Sequence, residues 1–267
     1  MNLDLNGRIA VGTGPSKGIG LAVVRALLEE DARVVATSRT RTPELDTLDG
    51  DLLHVPADLM DPHAPAEVVA RAVETFGGLD ILVNNAGGPP PGTHLPHDGF
   101  LGRTDDHWRA MFEFNLFSAV RASRAAIPLL IERGGGAIIN VSSGNGRQPS
   151  PFNVEYSAAR AAMINLTKAL SEEFAPRGVR VNGVCPGPTR TPWWTEPGGA
   201  RDILASMTGA APEDVITAVA PEMMALRTGR LVEPHEIADA VIVLASPRSA
   251  STTGTEVVVD GGYLKAV

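Results

Sequence analysis

Short apolar runs that alternate with helical segments constrain the fold of this 267-residue chain more than any other feature. The first run, residues 8–12, precedes a helical pattern at 21–30, and the rhythm continues to a last run at 256–260. Parallel strands need long crossover connections, usually helices, so the alternation favours a doubly wound parallel sheet with helices on both faces. We therefore predict one α/β domain, residues 1–267, with six or seven strands among 8–12, 33–37, 52–55, 79–83, 137–141, 179–184 and 256–260. The predicted helices cover 21–30, 62–76, about 104–133, about 155–175 and 236–245.

The composition narrows the class of protein. With 43% hydrophobic and 20% charged residues, the chain can bury a substantial core. A formal charge of -8 argues against nucleic acid or an anionic membrane as a partner. The single cysteine, Cys185, excludes an internal disulfide and is expected to be a small buried hydrophobe. The first eight residues do not resemble a signal peptide and we expect no membrane-spanning segment, so a cytoplasmic location is predicted.

A glycine-rich turn follows the first strand. It contains Gly14, Gly18 and Gly20, with Ser16, Lys17 and Ile19 between them, and a helical pattern begins directly afterwards. A turn of this kind presents unpaired backbone N–H groups and the positive end of a helix dipole to an anion. Side chains at the glycines would block a pyrophosphate, so the turn predicts dinucleotide binding in a Rossmann-type sheet.

The residues after the second strand predict which dinucleotide binds. A carboxylate at this place would bind ribose hydroxyls and repel a 2′-phosphate, but the chain has Ser38 and Arg39, with Arg41 nearby. Together with Lys17 these side chains form a cationic cup that suits a phosphate. We therefore predict NADP(H) as the cofactor.

The stretch from Ser143 to Arg160 carries the candidate chemistry. Ser143 lies where a strand ends, and Tyr156 and Arg160 lie one turn apart on the following helix. A nearby cation favours a phenolate, so Tyr156 could exchange a proton while Ser143 holds a carbonyl oxygen. Taken alone this pattern is weak, because a tyrosine near a basic residue on a helix is usually a surface pair.

Three further segments are open to more than one interpretation. The segment at about 188–230 breaks the strand–helix rhythm, and its Trp193, Trp194 and clustered methionines suggest either a substrate lid or a subunit interface. In the Pro/Gly-rich loop 88–102, the spacing of His94, His97 and Asp98 could hold a metal, but a solvated loop is favoured and no metal site is predicted. Asn115, in an apolar stretch, reads as a satisfied core amide.

The motifs taken together resemble the short-chain dehydrogenase/reductase family over nearly the whole chain. The matching residues, in order, are Thr13-Gly14, Gly18-Ile19-Gly20, Asn84-Asn85-Ala86-Gly87, Asn115, Ser143, Tyr156 and Pro186-Gly187. The resemblance implies that Tyr156 is the general acid/base, that Ser143 polarises the substrate carbonyl, and that Asn115 supports a water chain. It also implies adenine contacts from Asp58 and Leu59, ribose contacts from Asn85, Ala86 and Gly87, and nicotinamide contacts near Pro186, Gly187, Thr189 and Thr191. Members usually assemble as tetramers, so a homotetramer, or a homodimer, is expected.

Arg160 departs from the family pattern, which has lysine at this position. The resemblance implies that this residue binds the nicotinamide ribose, favours the phenolate and passes protons. Arginine keeps the charge and the donors, but it is effectively never deprotonated, so the proton-passing role is in doubt.

We therefore expect a short-chain NADP(H)-dependent enzyme that transfers a hydride between nicotinamide and a ketone or secondary alcohol of a medium-sized, partly apolar substrate. One alternative is a cofactor-binding protein whose catalysis is weak or lost because of Arg160. A second is a redox-neutral, dehalogenase-like lyase, which the intact glycine turn disfavours.

Overall fold

A seven-stranded parallel sheet organises the computed structural model, which describes residues 2–93 and 99–265. The strands lie in the order β3-β2-β1-β4-β5-β6-β7, so the order reverses beside β1, where a doubly wound sheet forms its ligand crevice. The strands are β1 (Ile9–Thr13), β2 (Arg33–Ser38), β3 (Leu52–Pro56), β4 (Ile81–Asn84), β5 (Gly136–Val141), β6 (Val179–Pro186) and β7 (Glu256–Val259). The predicted doubly wound α/β sheet is confirmed, and each predicted strand overlaps an observed one.

Helices cover both faces of the sheet. One apolar layer packs α1 and α11 on the sheet, and the other packs α3, α5 and the end of α6 on the opposite face. The helices are α1 (Gly18–Glu29), α2 (Pro43–Asp46), α3 (Ala64–Phe76), α4 (Asp105–Phe112), α5 (Ser118–Glu132), α6 (Val154–Phe174), α7 (Pro192–Thr195), α8 (Ala200–Thr208), α9 (Pro212–Asp214), α10 (Ala220–Met223) and α11 (Pro234–Ala245). Sheet strands buried on both faces read as continuous apolar runs, which is why the sequence pattern located them.

The helix predicted at about 104–133 is interrupted. A π-helical segment, Glu113–Phe117, separates α4 from α5 and contains Asn115. Thr104 does cap α4, since its hydroxyl accepts from the backbone N–H of His107 at 3.4 Å. The interruption was not predicted because apolar periodicity alone does not distinguish a π turn from an α turn.

The same stretch corrects the membrane expectation. By length and composition alone, Asp105–Glu132 is long and apolar enough to cross a bilayer, although no such segment was expected. The stretch is partly buried, and α5 packs on the sheet through Ala122, Ala126 and Leu130. Its apolar residues therefore serve the core of the domain.

The segment that breaks the strand–helix rhythm has a small core of its own. Trp194, Val215, Ala220, Leu226 and Leu231 are buried together, and Tyr263 from the C-terminal tail packs against them. Trp194 is only 6% exposed, whereas its neighbour Trp193 is 38% exposed. The two tryptophans thus have different roles, one in packing and one at the surface.

Candidate active site

The glycine turn packs against the loop after β4. A methyl group placed on Gly14 would come within 3.0 Å of Ala86 Cα, and one on Gly20 would overlap the carbonyl of Gly14 and meet the Asn85 amide. Asn85 Nδ2 also donates to the carbonyl of Thr13 at 2.9 Å. The predicted cofactor residues of the two loops therefore form one continuous surface at the carboxyl ends of β1 and β4.

Thr13 fastens these two loops together. Its hydroxyl oxygen accepts from the backbone N–H groups of Asn85 and Ala86, both at 3.0 Å. The residue is only 6% exposed, so these hydrogen bonds are protected from water. Thr13 was recognised only as part of a motif, and its structural role emerges from these contacts.

The loop after β6 closes the other side of the turn. A methyl on Gly18, whose φ is +59°, would lie 2.9 Å from Thr191 Cγ2. Thr191 begins α7, and Thr189 is buried with its hydroxyl donating to the carbonyl of Gly187 at 2.9 Å. Pro186 ends β6, so the predicted nicotinamide-end residues are adjacent to the glycine turn.

The residues of the predicted phosphate cup lie around the end of β2, and several have partners. Lys17 Nζ lies 3.3 Å from Glu196 Oε2, and Arg41 Nε lies 2.5 Å from Asp46 Oδ1. Arg39 is exposed, and no ion pair involves it among the described residues. The sequence predicts a cup of Lys17, Ser38, Arg39 and Arg41. In the structure two of its three cations are paired with carboxylates.

The other predicted adenosine-end residues follow the strands on either side of β2, namely β1 and β3. Ser16 is linked to the loop after β2, because Thr42 Oγ1 donates to its carbonyl at 3.0 Å, and Ile19 packs on the core. Beyond β3, Asp58 is exposed with its carboxylate accepting from the N–H of Met60, whereas Leu59 is buried.

Ser143 begins a short turn at the end of β5. Its Oγ accepts from the backbone N–H of Asn145 at 3.2 Å, so its own O–H proton remains available to another acceptor. The Asn145 amide donates to Asn153 Oδ1 at 3.2 Å, and the Tyr263 hydroxyl donates to Asn145 Oδ1 at 3.4 Å. Asn145 thus joins the serine turn to the start of α6 and to the C-terminal tail, a role that its sequence context did not indicate.

The serine turn packs directly on α6. A methyl on Gly146 would lie 2.9 Å from the carbonyl carbon of Arg160 and 3.0 Å from the nitrogen of Ala161. Tyr156 is half-buried on the same helix, and no hydrogen bond joins its hydroxyl to Ser143 within the described residues. The predicted pair therefore lies on two elements that pack against each other.

Arg160 is buried, with 3% exposure, between β5 and the loop after β4. Its Nη1 donates to the carbonyl of Val141 at 3.0 Å, and its Cζ lies 5.2 Å from the centroid of the Tyr156 ring. Its Nη2 occupies the volume that a side chain at Gly87 would fill. Its Nε has no hydrogen-bond partner among the residues that the structure describes. The guanidinium therefore packs beneath Gly87 and retains one unused buried donor.

Asn115 is fully buried and clamps the loop after β4. Its Oδ1 accepts from the N–H of Gly88 at 2.8 Å, and its Nδ2 donates to the carbonyl of Gly88 at 2.9 Å and to that of Met111 at 3.0 Å. Both amide protons and one lone pair of the oxygen are directed at protein groups, as expected of a satisfied core amide.

A buried ion pair lies beside the candidate tyrosine. Arg103 Nη1 is 3.1 Å from Glu155 Oε1, and the two side chains are 3% and 1% exposed. Glu155 Oε2 has no hydrogen-bond partner in the described part of the chain. The pair joins the residue before the N-cap of α4 to the residue before Tyr156, and nothing in the local sequence of either residue indicated it.

The C-terminal tail packs against two loops of the candidate site, the serine turn and the loop after β6. Asp260 accepts from the N–H groups of Gly262 and Leu264, both at 2.8 Å, and a side chain on Gly187 would collide with it. The Tyr263 ring lies against Gly144, where a methyl would come within 3.0 Å of Cδ1. The tail therefore contacts both the serine turn and the loop after β6.

Cys185 is buried, as predicted. Burial, followed by the negative charge of Glu256, raises the pKa of its thiol to about 12. A thiol with this pKa is not a nucleophile near neutral pH. His94, His97 and Asp98 lie outside the described residues; across 2–93 and 99–265 there is no group of three or more His, Cys, Asp or Glu side chains that could hold a metal.

Comparison with known proteins identifies the family. The family model described as enoyl-(acyl carrier protein) reductase matches residues 12–264. D-beta-hydroxybutyrate dehydrogenase of Rhizobium meliloti (strain 1021) is 35% identical over 270 residues, which cover 96% of this chain and 98% of that protein. The chain belongs to the short-chain dehydrogenase/reductase family.

Solved structures of other short-chain dehydrogenases/reductases superpose closely. L-sorbose reductase from Gluconobacter frateurii, complexed with NADPH and L-sorbose, has a TM-score of 0.89 and 31% identity, with all of both chains covered. An NADPH-bound short chain oxidoreductase from Pseudomonas aeruginosa PAO1, described as containing an atypical catalytic center, has a TM-score of 0.83 and 34% identity, covering 97% of this chain and 98% of that one. As a member of this family, the protein is a hydride-transfer oxidoreductase that uses a nicotinamide cofactor.

Proposed function

We propose that the protein is an NADP(H)-dependent reductase or dehydrogenase acting on a ketone or secondary alcohol of a medium-sized, partly apolar substrate. The observation that carries the proposal is the hydrogen bond from Asn145 N–H to Ser143 Oγ, because it leaves the serine proton free for a substrate oxygen beside Tyr156. The exposed apolar surface of Trp193, at 38%, and Met207, at 54%, supports a partly apolar substrate.

The residues at the carboxyl edge fit a dinucleotide. Side chains at Gly14, Gly18 and Gly20 would collide with Ala86, Thr191 and the Gly14 carbonyl, so only glycines allow this close packing at the N-terminus of the 12-residue helix α1, where an anion is favoured. Arg39 supports preference for a 2′-phosphate, and two similar solved proteins were crystallised with NADPH. Lys17 would exchange Glu196 for the phosphate. When bound, the nicotinamide supplies or accepts the hydride.

The chain's own residues would handle the oxygen and its proton. Ser143 donates its O–H to the carbonyl oxygen and so favours the charge that develops there. Tyr156 gives the proton to that oxygen in reduction and takes it back in oxidation. The buried guanidinium of Arg160 lies 5.2 Å from the Tyr156 ring centroid and so places a positive charge beside the proton-transferring side chain.

The test of these roles is a pair of variants assayed by NADPH consumption over a panel of ketones. Tyr156→Phe should remove nearly all turnover with cofactor affinity intact, because it deletes the transferable proton and little else. Ser143→Ala should lower turnover by roughly 10²-fold through loss of one donor to the developing charge. Wild-type turnover in the Tyr156→Phe variant would contradict the proposal.

A cofactor-binding protein with weak or lost catalysis is the second candidate, and the burial of Arg160 favours it. An arginine side chain is a poor proton relay in general, and the contacts of this one with Val141 and Gly87 hold it in a fixed position. Turnover of the wild type and of Arg160→Lys on one ketone separates the two candidates. A slow wild type with a faster lysine variant supports an impaired relay in an active enzyme, whereas no turnover in either supports the binding protein.

We also propose that the chain assembles as a homotetramer, or as a homodimer, through the outer faces of α4, α5 and α6. The 43% exposure of Phe117 and the 59% exposure of Phe100 on this side of the molecule support an apolar contact between copies. Light scattering coupled to gel filtration would test it, and a monomer at micromolar concentration would contradict it.

A further inference from the structure

The hydroxyl of Ser38 has two partners in the candidate phosphate cup, and their roles can be assigned. Ser38 Oγ donates to the carbonyl of Thr40 at 2.9 Å and lies 2.9 Å from His54 Nε2. A hydroxyl has only one proton, so for both contacts to be hydrogen bonds at the same time His54 Nε2 must be the donor in the second one. The imidazole is therefore either the neutral Nε2–H tautomer or the protonated cation, and both donate to Ser38.

His54 is placed behind the cup by strand pairing. It lies on β3 opposite Ala36 of β2, and Ser38 follows at the end of β2. The next strand, β1, is joined at the same edge, since Gly14 N–H donates to the carbonyl of Thr37 at 2.9 Å. His54 thus lies one hydrogen bond behind a residue of the predicted phosphate site and beside the glycine turn.

The charged groups that face His54 come from the segment after β2 and from α2. Burial, and then the charge of Arg41, lower the pKa of the imidazole below its ordinary value, while Asp46 and an interaction with the Ser38 backbone oppose this shift. Arg41 and Asp46 are themselves paired, so they largely cancel each other. Without a ligand the imidazole is therefore neutral near physiological pH.

A phosphate placed against Ser38 and Arg39 would reverse this balance. Its negative charge favours the imidazolium, and an incoming phosphate oxygen offers the Ser38 proton a better acceptor than the Thr40 carbonyl. When Ser38 turns its O–H to the phosphate, the hydrogen bond from His54 Nε2 remains and holds the oxygen in place. Phosphate binding and proton uptake are therefore linked.

We propose that His54 is a positioning residue for recognition of the 2′-phosphate of NADP(H), acting through Ser38 and taking up a proton as the phosphate binds. This inference rests on the proposed NADP(H) preference. A group whose pKa is higher in the complex strengthens binding at low pH, and the gain disappears as pH rises through the pKa in the complex. The contribution of His54 to the preference for NADP⁺ over NAD⁺ should therefore increase as pH falls.

The experiment measures dissociation constants of NADP⁺ and NAD⁺ by calorimetry at several pH values between about 5.5 and 8.5, a window that brackets the imidazole titration. The three proteins are the wild type, His54→Gln, whose amide donates without titrating, and His54→Leu, which does neither. His235→Gln, an exposed histidine at the start of α11, is the matched control. The 2′-phosphate itself titrates near pH 6, about the second pKa of a phosphate monoester, and His54→Gln reports that contribution alone.

For each protein, the NADP⁺ affinity is divided by the NAD⁺ affinity, and the wild-type value is then divided by the His54→Gln value. We expect this quotient to rise by roughly 3- to 10-fold from high to low pH. Uptake of one proton limits the rise to one decade per pH unit. His54→Leu should bind NADP⁺ more weakly at every pH and NAD⁺ as the wild type does. Repeating the titration at neutral pH in buffers of different ionisation enthalpy should show proton uptake with NADP⁺ but not with NAD⁺.

The experiment distinguishes failure of the His54 role from failure of the NADP(H) preference. Identical pH profiles for the wild type and His54→Gln would refute the role of His54 while leaving the NADP(H) preference intact. Equal affinities for NADP⁺ and NAD⁺ at every pH in the wild type would refute the preference itself, and the inference with it.

Discussion

The guanidinium of Arg160 donates to the carbonyl oxygen of Val141 at 3.0 Å, so the cation beside the candidate tyrosine is tied to the strand that ends in the candidate serine. The same guanidinium packs against Gly87, and its Nη2 occupies the position that a β-carbon of residue 87 would take. The loop after β4, strand β5 and helix α6 therefore meet at a single buried charge.

Gly87→Ala should destabilise the protein, because its methyl would overlap Arg160 Nη2. Overpacking of this kind typically costs about 1–3 kcal/mol in the free energy of unfolding. Adding Arg160→Lys, which removes the fork, should restore part of the loss. Urea denaturation measures both. Gly12→Ala is the matched control, since its methyl would meet Val24 at an ordinary 3.6 Å, and an equal loss there would contradict the argument.

Asn145→Ala should lower kcat while leaving cofactor affinity unchanged. The variant keeps the backbone N–H that serves Ser143 but loses the side-chain contacts to Asn153 and Tyr263. A net hydrogen bond is worth about 0.5–1.5 kcal/mol, so loss of the two contacts should lower kcat by at most roughly 5- to 150-fold. Tyr263→Phe, which removes only the longer contact, should have the smaller effect. Steady-state kinetics and cofactor titration give both quantities, and an unchanged kcat in Asn145→Ala would refute this role.

Arg103→Met should destabilise the protein more than the double variant Arg103→Met/Glu155→Gln. Removing one partner leaves the other charge buried and unpaired, which typically costs about 3–5 kcal/mol, whereas removing both charges avoids that penalty. Denaturant unfolding of the two single variants and the double variant provides the double-mutant cycle. Additive losses would mean that the 3.1 Å contact does not couple the two side chains.

Glu236→Gln should destabilise the protein at neutral pH, and by progressively less as pH falls towards 3. The hydrogen bond from Arg230, and then the backbone N–H of Glu233, lower the pKa of Glu236 to about 2 from an ordinary 4.5. A depressed pKa gives stability that is present above the unfolded-state value and is lost as pH falls through the folded-state value, so the window here runs from about 4.5 to about 2. Because the pair is partly exposed, we expect only about 1 kcal/mol. Thermal unfolding of both proteins from neutral pH to pH 3 measures it. A gap between the two proteins that stays constant with pH would contradict the assignment.

Local patterns predicted the sheet and the glycine turn because those features depend on residues that are close in sequence. Gly14, Gly18 and Gly20 are required wherever a strand, a tight turn and a helix meet in this way, and Thr104 is an ordinary N-cap. The pairings across the site were not predictable in the same manner. Nothing near Arg103 indicates Glu155, and nothing near Lys17 indicates Glu196, because ion pairs between distant segments are set by the packed fold. The burial of Arg160 under Gly87 also depends on three elements meeting at once.

The π-helical segment, Glu113–Phe117, determines how the helix between α4 and α5 responds to the loss of one residue. Its hydrogen bonds run from residue i to i+5 and accommodate one residue more than an α turn. Deletion of Leu116 alone would let the segment close to α-helix while α4 and α5 keep their relative orientation, because the π turn already absorbs one extra residue. The packing of Ala122, Ala126 and Leu130 on the sheet would then be retained, and the local change would fall on Asn115 and its clamp on Gly88. The loss of a single codon here would therefore be less damaging to the fold than the same loss within α5, where it would rotate the rest of the helix by about 100°.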